Sequence, residues 1–171
     1  MLERFYPDER CRSAYDIDYE AWFARGRRAL LFDIDNTLVP HGAPADERAV
    51  ALFKRLHQMG YRTCLISNNK ETRVKSFAQA VESDYLYKAG KPSTAGYLRA
   101  CEKMQTDPAH TLFIGDQIFT DTWGATRAGI YTILVDPIHP KEEIQIILKR
   151  RLEWFVLRAY EKERRKRHNN G

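Results

Sequence analysis

The sequence predicts an α/β fold: one domain built on a parallel sheet, with helices joining successive strands. Two observations carry this expectation. Short apolar runs of strand length alternate with stretches of helical length, a pattern that requires right-handed crossovers. The first strong run, Ala29-Leu-Leu-Phe32, is apolar on both faces and too short for a helix, as a strand covered on both sides must be. The chain has 171 residues and 43% hydrophobic content, enough to bury one good core. The expected domain spans 1–171, with a leader over 1–27, a core over about 28–136 and a basic amphipathic helix over about 141–167.

In the leader, Asp18 is placed to cap a short helix through Ala24, which Gly26 ends. The strand over 29–32 runs straight into Asp33-Ile-Asp35. After the turn-rich loop His41-Gly-Ala-Pro44, a helix from Asp46 or Glu47 to about Met59 carries Val50, Phe53, Leu56 and Met59 at intervals of three. Tyr61–Ser67 is the next strand and stops at Asn68-Asn69. A helix over about 71–81 leads to a short strand near Tyr85–Tyr87. Ser93 caps a helix to Met104. Thr111–Gly115 is an apolar strand ending at Asp116, Thr120–Ala128 a helix stopped by Gly129, and Tyr131–Val135 the last strand.

From Lys141 onward one long helix is expected, with fraying beyond Tyr160. Its stripe comprises Ile144, Ile147, Leu148, Leu152, Phe155, Val156 and Ala159, widened by Trp154, Leu157 and Tyr160. The net charge of +5 is concentrated here. Residues 149–167 hold nine Lys/Arg against three Glu, which leaves the rest of the chain at minus one. Cys11, Cys64 and Cys101 are scattered and lack metal-ligand spacing, which suits a reducing compartment. Met1–Cys11 lacks the apolar core of a signal peptide. No segment approaches the roughly eighteen apolar residues of a spanning helix. The expected location is cytoplasmic, with a peripheral membrane position open.

Four polar features stand at four successive strand ends: Asp33 and Asp35, Ser67-Asn68, Lys91, and Asp116 with Asp121. Ligands of open α/β sheets bind at the carboxyl ends of the strands. Two acids one residue apart gain nothing there unless a cation or a reaction uses them. Together the four features compose a phosphoryl-transfer site. Asp33 can attack phosphorus as a carboxylate nucleophile, giving an aspartyl-phosphate. Asp35 is placed to protonate the leaving oxygen and then to activate water. Asp33, Asp116 and a main-chain carbonyl offer the hard oxygen ligands that suit Mg²⁺. Ser67 and the Asn68 amide can hold phosphoryl oxygens, and Lys91 can neutralise charge on the phosphorane. Each role has a rival. Ser67 could be satisfied by backbone, Lys88 competes with Lys91, and Asp121 could cap the helix that follows. Pro92 fixes the turn beside Lys91 and favours that lysine. His41 lies in the loop over the site.

Asp33-Ile-Asp-Asn-Thr-Leu-Val, Ser67-Asn-Asn, Ala89-Gly-Lys-Pro and Gly115-Asp-Gln-Ile-Phe-Thr-Asp121 resemble motifs one to four of the haloacid dehalogenase (HAD) superfamily phosphatases. Within it they resemble the subfamily IIIA proteins called YqeG-like, whose leader Tyr15-Asp-Ile-Asp also matches. Those proteins are similar to mitochondrial phosphatases acting on phosphatidylglycerophosphate. The resemblance implies a three-layer α/β/α Rossmann-like core and a Mg²⁺-dependent phosphatase. It makes Asp33 the nucleophile, Asp35 the acid/base, and Ser67 and Lys91 the phosphate-binding groups. The implied metal ligands are Asp33, the Asp35 carbonyl, Asp116 and, through water, Asp121.

One loop and one helix separate Asp35 from Ser67, and one helix and a short strand separate Ser67 from Lys91. That leaves no room for an inserted cap domain. The resemblance then implies a bulky substrate: a phosphoprotein, a nucleic-acid end, or a lipid head group such as phosphatidylglycerophosphate; the alternative keeps the chemistry and assigns a protein or nucleotide phosphate. The C-terminal helix could pack its stripe on the sheet, or lie in plane on anionic lipid. Its basic end also admits a nucleic-acid partner, although no RNA-recognition motif accompanies it.

Overall fold

The structure is a computed structural model describing residues 2–139 and 144–169, with side chains described for residues 2–139 and 150–166. Six strands form one sheet: β1 (Glu9–Cys11), β2 (Ala29–Phe32), β3 (Arg62–Ile66), β4 (Asp84–Leu86), β5 (Thr111–Gly115) and β6 (Tyr131–Val135). All pairings are parallel, in the order β1-β6-β5-β2-β3-β4. The chain winds outward from β2 in one direction through β3 and β4. It then returns to β5 on the other side of β2 and continues through β6. The switch point therefore lies between β2 and β5, where such sheets open a crevice.

The alternation of the strands divides the core. Leu30 and Phe32 face α1 (Tyr19–Ala24), α2 (Glu47–Gln58) and α3 (Glu71–Val81). Ala29 and Leu31 face α4 (Thr94–Lys103) and α5 (Trp123–Arg127). This is the expected three-layer α/β/α arrangement, and the central strands are buried on both faces. Asp18, Asp46 and Ser93 cap α1, α2 and α4 as the sequence predicts.

Four expectations are corrected. The leader contributes β1, an edge strand on β6. Asp8 fastens it, its carboxylate accepting the Thr132 N–H at 2.8 Å and the Thr132 hydroxyl at 3.0 Å. On α2 the buried face is Ala49, Leu52, Phe53 and Leu56, while Val50 is exposed. Steps of three drift steadily around a helix of 3.6 residues per turn, so residues 50, 53, 56 and 59 cannot hold one face. The helix expected over 120–128 is preceded by a wide turn over Ile118–Thr122, in which the Thr122 N–H reaches back five residues to the Gln117 carbonyl at 3.1 Å.

The fourth correction concerns the last helix, α6 (Ile144–Asn169). It does not fray at Tyr160, because the Glu, Lys and Arg residues that follow are strong helix formers. The expected start at Lys141 lies outside the described residues, as do the side chains of Ile144, Ile147 and Leu148. Of the remaining stripe, Val156 is buried beside Ile118 and Leu134, but Leu152 and Phe155 are 57% and 61% exposed. The helix packs on Leu134 of β6 and on the N-terminal segment, where Tyr160 meets Tyr6 edge-on at 5.3 Å. The inward face is consequently Glu153, Val156, Leu157 and Tyr160.

Candidate active site

Register brings the acids together. Phe32 pairs with Ile114, so β5 runs one residue beyond β2, and Asp116 leaves it one position past the level of Asp33. The Asp33 N–H donates to the Ile114 carbonyl at 3.0 Å and fixes the end of the strand. Asn36, three residues on, turns the chain at φ 63°, a conformation that asparagine adopts more readily than most residues. Thr37 then points back, its hydroxyl 3.5 Å from Asp33 Oδ2 and 3.4 Å from Asp116 Oδ1.

Lys91 lies among these carboxylates. Its Nζ is 2.6 Å from Asp33 Oδ1 and 2.7 Å from Asp121 Oδ1, and all three side chains are buried. The ambiguity with Lys88 is resolved by position, since Lys88 is exposed. Asn68 holds the Lys91 main chain at both ends of its amide: Nδ2 donates to the Lys91 carbonyl at 3.0 Å, and the Lys91 N–H donates to Oδ1 at 2.7 Å. That side chain is therefore committed to placing Lys91. Ser67 Oγ accepts the Asn69 N–H at 3.1 Å and retains its own O–H to donate. Asp121 sits inside the wide turn rather than capping α5, and its Oδ2 accepts the Gln117 N–H at 3.2 Å.

Asp35 is set apart. Its Oδ1 lies 2.8 Å from Arg73 Nη2 and accepts the Gly42 N–H at 2.9 Å. Burial pushes its carboxyl up, but Arg73 and Gly42 outweigh burial and hold it below the usual carboxylate range. The other acids move the opposite way. Burial pushes Asp33 up to about 7 against the pull of Lys91, with Asp121 adding to the rise. Burial and the Asp33 charge push Asp116 well up. Lys91, flanked by Asp121 and Asp33, is held firmly protonated despite its burial.

The chain has recognisable relatives. Residues 43–129 match the haloacid dehalogenase-like hydrolases. Over 165 residues, 95% of this chain and 96% of the relative, the sequence is 33% identical to "Probable phosphatase YqeG" of Bacillus subtilis (strain 168). The chain belongs to the haloacid dehalogenase-like hydrolase family. It is also 29% identical over 163 residues to "Phosphatidylglycerophosphate phosphatase 1, chloroplastic/mitochondrial" of Arabidopsis thaliana, matching 84% of this chain and 44% of that protein. Among solved structures, a putative 3-deoxy-D-manno-octulosonate 8-phosphate phosphatase from Vibrio cholerae shares the fold. The TM-score there is 0.54 at 18% identity, covering 75% of this chain and 78% of that one.

Enzymes of the HAD family generally use a divalent metal, and the acids here fit one. Oxygens of Asp33, Asp116 and Asp121 lie within 4.8 Å of one another. Asp116 Oδ2 is buried without a hydrogen-bond partner, Arg150 Nη2 standing 3.7 Å away. Three buried carboxylates around one lysine carry surplus negative charge, which a divalent cation would offset. The Asp35 carboxylate is not part of that cluster.

Several groups in this site escape sequence reasoning. Arg73 lies on α3, Arg150 on α6, and Glu153 reaches the site's edge by accepting the Ile118 N–H at 3.0 Å. No spacing links them to Asp33. Thr37 stands within the first motif, and its place in the sequence could have indicated its role.

Proposed function

We propose that this HAD hydrolase is a Mg²⁺-dependent phosphomonoester phosphatase working through an aspartyl-phosphate. The observation that carries the reading is Asp33 at the switch point, with Lys91 at 2.6 Å and two further buried acids beside it. Asp33 attacks phosphorus in line while the bond to the ester oxygen breaks, and Asp35 gives that oxygen its proton. Water then attacks the aspartyl-phosphate and loses its proton to Asp35, releasing phosphate and restoring Asp33. Lys91, the Ser67 hydroxyl and the Asn68 main-chain N–H hold the phosphoryl oxygens. Asp33, the Asp35 carbonyl and Asp116 would ligate Mg²⁺, with Asp121 through water. The ion would supply charge neutralisation at the phosphoryl group.

The substrate is bulky. Among the described residues, only a loop, α2 and β3 lie between Asp35 and Ser67, and only α3 and β4 between Ser67 and Lys91. A phosphorylated lipid head group, phosphatidylglycerophosphate in particular, is supported by the named activity of the Arabidopsis thaliana relative. No helix among the described residues is long and apolar enough to cross a membrane. The protein then works in the cytoplasm or peripherally at a membrane.

The test is phosphate release from phosphatidylglycerophosphate, phosphopeptides and nucleotides, with Mg²⁺ or with chelator. Wild type should release phosphate only with Mg²⁺ and fastest from the lipid. Asp33→Asn should be folded and inactive. Full activity of that variant would end the mechanism, and faster turnover of peptides or nucleotides would end the lipid assignment.

A further inference from the structure

On α6 the acids are kept to one side, where Arg150 and Arg164 accompany them. Its glutamates are engaged on the side of the body: Glu153 with Ile118, Glu161 Oε1 with Arg10 Nη1 at 2.7 Å, and Glu163 at the cavity shared with Tyr6 and Arg10. The opposite side carries Arg151, Phe155, Arg158, Lys162 and Arg165, all exposed. Their steps of four, three, four and three keep one helical face. Trp154 flanks this stripe, edge-on to Phe155 at 5.0 Å and 4.3 Å beneath the Arg158 guanidinium. Leu152 is exposed at its margin. Among the described residues, this outward stripe holds cations interleaved with large apolar groups and no acid.

The turn of α6 that opens the stripe also touches the site, from its opposite side. Arg150, next to Arg151, lies 3.7 Å from Asp116, and Glu153 ties the helix to the turn that carries Asp121. We infer that this face of α6 docks on an anionic phospholipid surface and presents the carboxylate site to it. Charge complementarity identifies the occupant: basic residues near an anionic leaflet each strengthen binding about fivefold. Aromatic and aliphatic side chains between them enter the head-group boundary, where Trp is favoured. A nucleic acid would satisfy the cations and leave Leu152 and Phe155 in water. The docking rests on the phosphatase reading for its purpose, not for its existence.

The test is sedimentation of the full chain with vesicles of phosphatidylcholine alone, or mixed one-to-one with phosphatidylglycerol. Wild type should bind only the mixed vesicles. Arg158→Glu with Lys162→Glu should cut binding at least about thirtyfold, and Phe155→Ser about tenfold. Both variants should hydrolyse a small soluble phosphomonoester at the wild-type rate. Equal binding to the two vesicles, or binding indifferent to both variants, overturns the inference. So does homopolymeric RNA that displaces the protein from mixed vesicles and binds Phe155→Ser undiminished. Vesicle binding without phosphatase activity would uphold docking and end the catalytic reading. Activity on soluble esters without vesicle binding would do the reverse.

Discussion

Arg73 Nη2 stands 2.8 Å from Asp35 Oδ1, so the carboxylate proposed as acid/base is held by an arginine on a different crossover. The pair is mostly shielded from water, and the guanidinium also lies 5.5 Å from the Phe77 ring. Arg73 thus fixes where Asp35 points and favours its ionised form. Arg73→Ala should lower kcat about tenfold or more through lost orientation, while leaving the Asp33 pocket intact. Asp35 donates its proton when protonated, and without Arg73 its carboxyl rises. The limb of the kcat/KM profile on which Asp35 loses its proton should therefore move to higher pH. An unmoved profile would remove Arg73 from this role.

Gly124 is fixed by close approach rather than by backbone angle. A Cβ there would meet Tyr97 Cε2 at 2.6 Å and the Pro92 carbonyl at 2.9 Å. Tyr97 is fully buried and donates to the Thr120 carbonyl at 2.7 Å, so it has little room to retreat. Gly124→Ala should cost about 1–3 kcal/mol in urea unfolding, the usual range for overpacking. Because Pro92 follows Lys91, the same variant should lose activity beyond what its stability loss explains.

The central part of the fold was legible because each strand there closes on an apolar run followed by a polar residue, and parallel pairing needs nothing longer-ranged than that pattern. Lys91 could be distinguished from Lys88 because proline fixes the adjoining turn. The edge strand β1 was not legible. Glu9-Arg-Cys11 is short and polar, and becomes a strand only because β6 offers an unpaired edge and Thr132 a partner for Asp8. Arg73 and Arg150 were hidden for a related reason: they meet Asp35 and Asp116 across the fold, at separations that carry no local signal. The α6 stripe misled because hydrophobicity alone does not say which side a helix buries. Glu153, a charged residue, turned out to face inward and Phe155 outward.

His57 should give stability a dependence on pH. Its Nε2 lies 2.8 Å from Thr63 Oγ1, and burial lowers its pKa from the ordinary value, with Glu82 opposing weakly. A histidine depressed in the folded state favours folding when neutral. This contribution is fully present above the unfolded pKa of about 6.5 and is lost as pH falls through the folded value. The His57 contribution to the urea midpoint should therefore decline on acidification below about pH 6.5, against the raised acids Asp33 and Asp116, whose contribution grows as they take up protons. His57→Gln should remove that decline; an identical slope in both proteins would exclude His57 as a source.

Lys91 is the only cation within hydrogen-bond reach of Asp33 and Asp121 among the described residues, and its removal tests how the acids are balanced. Lys91→Met keeps most of the volume and deletes the charge. Asp33 and Asp121 then face each other and Asp116 with no lysine among them. Breaking a buried pair by removing one partner costs about 3–5 kcal/mol, and protonation of the raised acids should absorb part of this. The metal-free variant should unfold well below wild type. A divalent cation should bind the freed carboxylates and recover more stability in Lys91→Met than in wild type. Thermal melts with and without Mg²⁺ measure both effects. A smaller Mg²⁺ response in the variant would mean that Lys91, rather than the carboxylates' mutual repulsion, organises the cation site.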